Sequence, residues 1–133
     1  MKREIVSIPG VKTPDSPFNH VIKVGELLFL SSQLSCDLKT GAIISGDIEI
    51  QTRKALENIE YLLEASNSSS SNIVKTVVYM RDAREFETMD KVYREFFEPG
   101  KEPARVTIQS PSPISCVDIE IEVTAVVTDR YQS

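Results

Sequence analysis

The chain has 133 residues, 41% hydrophobic and 26% charged, enough for a single domain over residues 1–133 that needs no metal or disulfide staple. Its net charge of -5 argues against a general affinity for nucleic acid, whose phosphates call for clustered Lys and Arg. The basic start MKREIVSIPG is broken at Pro9-Gly10 and no apolar run approaches a bilayer span, so neither a secretory leader nor a membrane partner is expected, and the expected location is the cytoplasm.

Residues 3–8 (REIVSI) read as a short strand stopped by Pro9-Gly10. VIKV and LLFLSS flank Gly25-Glu26 as the arms of a hairpin, and DLKTGAIISGD is a turn-rich connection. From Asp47, a candidate N-cap, Ile48, Thr52, Ala55, Ile59 and Leu62 recur at helical spacing, with Leu56 and Leu63 widening the stripe. After the polar loop NSSSSN comes a β-branched strand, IVKTVVYM. Asp82 and Glu85 then stand as a capping box, opening a helix with Phe86, Met89, Tyr93 and Phe96 on one face. EPGKEP ends it, and RVTIQ and VDIEIEVTAVV supply two last strands around the Pro111 to Pro113 turn.

The final strand alternates. Val117, Ile119, Ile121, Val123 and Ala125 form an apolar face, and Asp118, Glu120 and Glu122 line up opposite. IVKTVVYM instead offers apolar residues on both faces: Ile73, Val77 and Tyr79 against Val74, Val78 and Met80. Two helices cover only one face of such a sheet, so the second face is expected to be covered by other copies of the chain.

Several chemistries lack their residues. His20 is the sole histidine, so neither a His-based metal site nor a Ser-His-Asp triad has its partners, and His20 reads as a loop or hydrogen-bonding residue. No GxxxxGK or GxGxxG phosphate loop occurs. Cys36 and Cys116 form no CxxC pair and read as reduced thiols, Cys116 as a small buried residue at a strand start.

The segments PFNHVIKVGELLFLSSQ, DLKTGAIISGDIEIQTRKALENIEYLLE, IVKTVVYMRD, VYREFF, EPARVTIQ and VDIEIEVTAVV, in this order, resemble the YjgF/RidA family of reactive-intermediate imine deaminases, also called endoribonuclease L-PSP-like, over about residues 5–127. The resemblance implies an α+β, chorismate-mutase-like fold: a mixed sheet with two helices on one face, assembled as a homotrimeric barrel with ligand clefts between subunits. It implies that Arg105, in the PAR motif, holds the carboxylate of a small imino acid, as a planar guanidinium fork suits. It further implies that Glu120 positions a water beside the imine carbon and that the carbonyl of Thr107 takes part. Asp118 and Glu122 keep the plainer reading of a solvated or salt-bridged strand face.

Departures from the family pattern bear on the substrate. Phe18 stands where an aromatic hydroxyl is frequent, leaving a stacking wall without the phenol. Ser31-Ser32-Gln33 replaces Ser-Gly-Gln, adding a hydroxymethyl at the expected pocket floor, and Thr107 replaces a frequent cysteine. The implied reaction is hydrolytic deamination of 2-imino or 2-amino-2-enoic acids such as 2-aminoacrylate and 2-iminopropionate, with no cofactor. Two alternatives stand beside it: a larger enamine such as 2-aminomuconate, or a trimer that binds keto acids without turnover. Endoribonuclease activity fits poorly with an acidic chain lacking a basic aromatic face.

Overall fold

The computed structural model describes residues 1–128; the last five residues of the expected domain lie outside the described residues. Six strands, β1 (Arg3–Ile5), β2 (Val21–Val24), β3 (Leu27–Gln33), β4 (Ile73–Met80), β5 (Ala104–Gln109) and β6 (Ile119–Val126), form one mixed sheet in the order β1-β2-β3-β6-β4-β5. Every pairing is antiparallel except β4 with β5. Parallel neighbours need a crossover, and α2 (Phe86–Phe96) supplies it, while α1 (Ile48–Ala65) links β3 to β4. The architecture is α+β with both helices on one face, as the resemblance implied.

The core lies between that face and the helices. Leu28 and Leu30 of β3 and Ile119, Ile121, Val123 and Ala125 of β6 meet the α1 stripe Ala55, Ile59, Leu62 and Leu63, all buried. At about 25 cal/mol per Å² of apolar surface withdrawn from water, this layer is the main stabilising term. Asp47 caps α1, its carboxylate accepting from Ile50 N at 3.0 Å. Gly25-Glu26 closes the β2–β3 hairpin with Gly25 at φ +59, a left-handed conformation that a side chain resists.

Three expectations change. The faces of β4 are not Ile73, Val77 and Tyr79 against Val74, Val78 and Met80. A bulge between Ile73 and Lys75 puts two residues against one on β6, so Ile73 joins Thr76, Val78 and Met80 in the core, and Val74 shares the outer face with Val77 and Tyr79. Asp82 and Glu85 form no reciprocal capping box. Asp82 caps a single 3-10 turn, Ala83–Glu85, by accepting from Arg84 N, and α2 starts one turn later without a side-chain cap. Cys116 is exposed, because the chain enters β6 through a surface turn whose buried member is Val117.

The face away from the helices carries exposed apolar side chains: Leu27, Phe29, Val74, Val106 and Ile108 are each 40–46% exposed. No helix among the described residues is long and apolar enough to cross a membrane.

Candidate functional site

Glu120 sits on that outer face of β6, opposite Tyr79 of β4. Both its carboxylate oxygens are held. Ser32 Oγ donates to Oε1 at 2.7 Å, and Ser112 Oγ donates to Oε2. Ser32 reaches it because β3 bulges between Leu30 and Gln33, where three steps along β3 match two along β6. The bulge places Ser31-Ser32 on the outer side and returns Gln33 to the buried side. The seryl pair thus works as an insertion in the ladder.

Ser112 belongs to the loop between β5 and β6, and Arg81, just beyond β4, pins that loop. Its guanidinium donates to the carbonyls of Ser112 at 3.2 Å, Ile114 at 3.1 Å and Val117 at 3.0 Å. Glu120, Glu122, Tyr79, Ser32 and Ser112 line a recess of about 230 Å³. The Tyr79 hydroxyl donates to Glu122 at 2.9 Å, which pushes the Tyr79 phenol above its ordinary value and leaves Glu122 engaged. Asp118 leaves the column of acids: it stands before β6, accepts from Gln51 Nε2 at 3.1 Å and lies 3.5 Å from Arg81 Nε. Glu120 is therefore the acid held between two hydroxyls.

Ser32 also lines a larger recess of about 370 Å³, shared with Phe18, His20, Leu34, Ile43 and Ile114. Phe18 is 46% exposed and meets the His20 ring edge-on at 5.7 Å, so it stands as an open wall. Ser31 is committed elsewhere, its hydroxyl donating to Asn19 O at 2.7 Å. His20 Nδ1 pairs with Gln33 Nε2 at 3.3 Å, and burial lowers the pKa of its imidazole.

Arg105 and Thr107 lie apart from all of these. Their β4 partners are Thr76 and Val78, both on the buried side, so the two side chains point toward the helix layer at the β5 edge. Arg105 Nη1 donates to Asp90 Oδ1 of α2 at 2.7 Å. Its guanidinium lies over the Tyr93 ring at 4.7 Å and near Phe86 at 5.5 Å. Tyr93 is held by a 2.7 Å hydrogen bond between its hydroxyl and that of Thr76. Asp90 also accepts from Arg94 at 3.2 Å, and the bond from Arg105 is the chief reason its carboxyl lies below the ordinary carboxylate range.

Within one chain, then, the structure gathers Glu120, Ser32 and Phe18 around two adjoining recesses and sets Arg105 and Thr107 on the other face. Three residues along β4 and two strands across put the Cα atoms of Arg105 and Glu120 roughly 14 Å apart, with side chains diverging. Ser112, Asp90 and Tyr93 escape a reading of the sequence. Asp90 and Tyr93 carry only a helical spacing signal, and Ser112 sits in a proline-flanked turn with no periodicity.

Residues 11–127 match the family model described as Endoribonuclease L-PSP. A RutC family protein of Pyrococcus horikoshii is 40% identical over 123 residues, covering 92% of this chain and 97% of that one. The protein named Reactive Intermediate Deaminase A, chloroplastic, of Arabidopsis thaliana is 34% identical over 94% of this chain and 66% of its own length. That named 2-iminobutanoate/2-iminopropanoate deaminase, of Dermatophagoides farinae, is 28% identical over 94% and 97%. Among solved structures, yeast Mmf1 superposes with a TM-score of 0.85 at 27% identity, covering 96% of this chain and 100% of that one. E. coli TdcF with bound serine superposes at 0.82 and 28%, covering 94% and 99%.

Proposed function

Since the chain belongs to the YjgF/RidA family, the family of the endoribonuclease L-PSP model, we propose that it hydrolyses reactive 2-imino and 2-amino-2-enoic acids to 2-keto acids and ammonia. The observation that carries this reading is the pair of prepared groups: a guanidinium laid flat with one fork open, and a carboxylate held by two hydroxyls. They complement each other chemically and lie on opposite faces of one sheet. A cleft between neighbouring copies of a homotrimer would bring Arg105 of one to Glu120 of the next, and the exposed apolar outer face supports such an assembly.

In this reading Arg105 clamps the substrate carboxylate and the Thr107 carbonyl accepts a hydrogen bond from the imine nitrogen. Glu120 orients a water and takes its proton as oxygen bonds to the imine carbon. A carboxylate has about four lone-pair sites, so two bound hydroxyls leave room for that water. The proton then passes to nitrogen; as the C–N bond breaks, the carbinol oxygen gives its remaining proton to Glu120 for transfer to nitrogen and becomes the keto oxygen, and keto acid and ammonia leave. Such imines hydrolyse unaided, so positioning plus proton transfer, worth about 10² to 10⁴ in rate, is sufficient. The relatives named as deaminases support the reaction class.

A second reading keeps the site and enlarges the substrate to an enamine such as 2-aminomuconate; the 370 Å³ recess reached through Ser32 favours it. The test is ammonia release and imine decay with substrate made in place by a serine or threonine dehydratase. Acceleration that disappears in Arg105→Ala and Glu120→Gln is expected. No acceleration over the dehydratase alone would overturn the deaminase reading and favour a trimer that binds keto acids without turnover.

A further inference from the structure

We infer that Asp90 is a positioning and specificity-determining residue: a resident counter-ion on Arg105 that leaves the guanidinium a single fork for one carboxylate and repels a second negative charge. The inference rests on the carboxylate-binding reading of Arg105 given above and names the class of substrate that site accepts, a monoanion rather than a dianion.

The geometry is specific about which nitrogen is taken. A guanidinium meets a carboxylate in a planar, two-point fashion through Nη1 with Nη2 or through Nε with Nη2. Asp90 Oδ1 occupies Nη1 at 2.7 Å. Among the described residues Nε and Nη2 have no hydrogen-bond partner, so the Nε–Nη2 side is the fork left for a ligand. Rotation of the group is opposed by Tyr93 beneath it and Phe86 beside it, and Tyr93 is itself tied to Thr76. Asp90 is tied in turn by Arg94 on its other oxygen. The ion pair is only 25% and 22% exposed at its two side chains, so water screens it incompletely.

The consequence is electrostatic. A bound monocarboxylate makes the guanidinium bridge two anions, which Arg94 partly offsets. A ligand with a second carboxylate adds a further negative charge near Asp90 and, in the assembled cleft, near Glu120 and Glu122. At an effective dielectric constant of about 20, one such repulsion at roughly 7 Å is enough for a discrimination of about tenfold or more. This sets the charge of the substrate, while the large recess sets its length. The charge condition therefore counts against the second reading above: the recess has room for a muconate-type chain, but Asp90 favours a monocarboxylic imine over a diacid.

The test uses two product-like probes of the intact protein, 2-oxobutanoate and oxaloacetate, as competitive inhibitors of imine hydrolysis and as ligands in calorimetry. Wild type is expected to bind the monocarboxylate about tenfold more tightly than the dicarboxylate. Asp90→Asn, nearly isosteric and still able to accept from Nη1, is expected to shrink that ratio to about threefold or less by tightening oxaloacetate more than 2-oxobutanoate. A merely structural role would weaken both ligands together and leave the ratio alone; an unchanged ratio in a folded Asp90→Asn protein overturns the inference. Arg105→Ala separates the two levels. If it abolishes binding of both probes while Asp90→Asn leaves their ratio fixed, the inference about Asp90 fails and the site stands. If Arg105→Ala leaves both affinities intact, the site reading itself falls and the inference with it.

Discussion

On the proposed division of the site between copies, a mixture of Arg105→Ala and Glu120→Gln is expected to show activity that neither variant shows alone. Arg105 faces the helix layer from β5 and Glu120 faces the other way from β6, so one chain does not bring them to a common ligand. Loss of the proposed Arg105 clamp should cost about 2–5 kcal/mol in kcat/KM, by analogy with truncating one partner of a charged, hydrogen-bonded pair. Loss of Glu120 as the proposed proton acceptor should cost about 10² to 10⁴ in rate. If each cleft of a trimer takes Arg105 from one copy and Glu120 from its neighbour, random exchange at equal concentrations leaves both groups intact in about one cleft in four. The mixed sample should therefore reach about a quarter of wild-type activity. The assay is ammonia release after co-refolding or co-expression, with hybrid assemblies verified by native mass spectrometry. Hybrids no more active than the average of the parents would refute the division of the site between copies.

Gln51 is 2% exposed and joins α1 to the entry of β6, donating to Gly46 O, Cys116 O and Asp118 Oδ2 and accepting from Asp118 N at 2.9 Å. Gln51→Leu should lower the unfolding free energy by about 3 kcal/mol in urea titrations at matched protein concentration, with an unchanged m-value, because the amide of Asp118 loses its acceptor. Ser112→Ala removes one of the two donors to Glu120; on the proposed mechanism it should lower kcat about tenfold with KM little altered, since the carboxylate loses orientation and Arg105 is untouched. Asp90 has its folded pKa depressed, chiefly by the bond from Arg105, so its contribution is present above the ordinary 3.8 and is lost as pH falls through the folded value. The stability difference between wild type and Asp90→Asn should therefore be flat near neutrality and shrink only below pH 3.8, as denaturant titrations across a pH series would show.

The elements that were legible in the sequence are those governed by local periodicity. The α1 stripe and the alternation of Ile119, Ile121, Val123 and Ala125 read correctly because each buries one face against one neighbour. The faces of β4 did not, because a period-two reading assumes an unbroken ladder and the bulge after Ile73 shifts the count by one. Asp82 and Glu85 had the spacing of a capping box, but Arg84 folds back onto both carboxylate oxygens of Asp82, and the turn it belongs to is 3-10. Arg105 and Glu120 rest on a motif resemblance; the outward face of Glu120 follows from its alternation with Ile119 and Ile121, whereas Arg105 turns inward because the β4–β5 register sets it beside buried Thr76, against the inward pull its apolar neighbours Val106 and Ile108 suggest. Ser112 and Asp90 act through contacts 8 and 15 residues away.

Arg81 has a wider consequence for how the molecule can change. The turn from Ser110 to Val117 is anchored through its carbonyls to one side chain, and a carbonyl is the same whatever residue bears it. Pro113, Ile114, Ser115 and Cys116 are exposed and free to vary in character while the anchorage persists. Ile114 also borders the larger recess, so exchanging that one residue resizes the chamber with no strand disturbed. A scaffold of this kind separates upkeep from tailoring: one arginine preserves the frame, and its neighbours are left to follow whatever molecule the cell supplies.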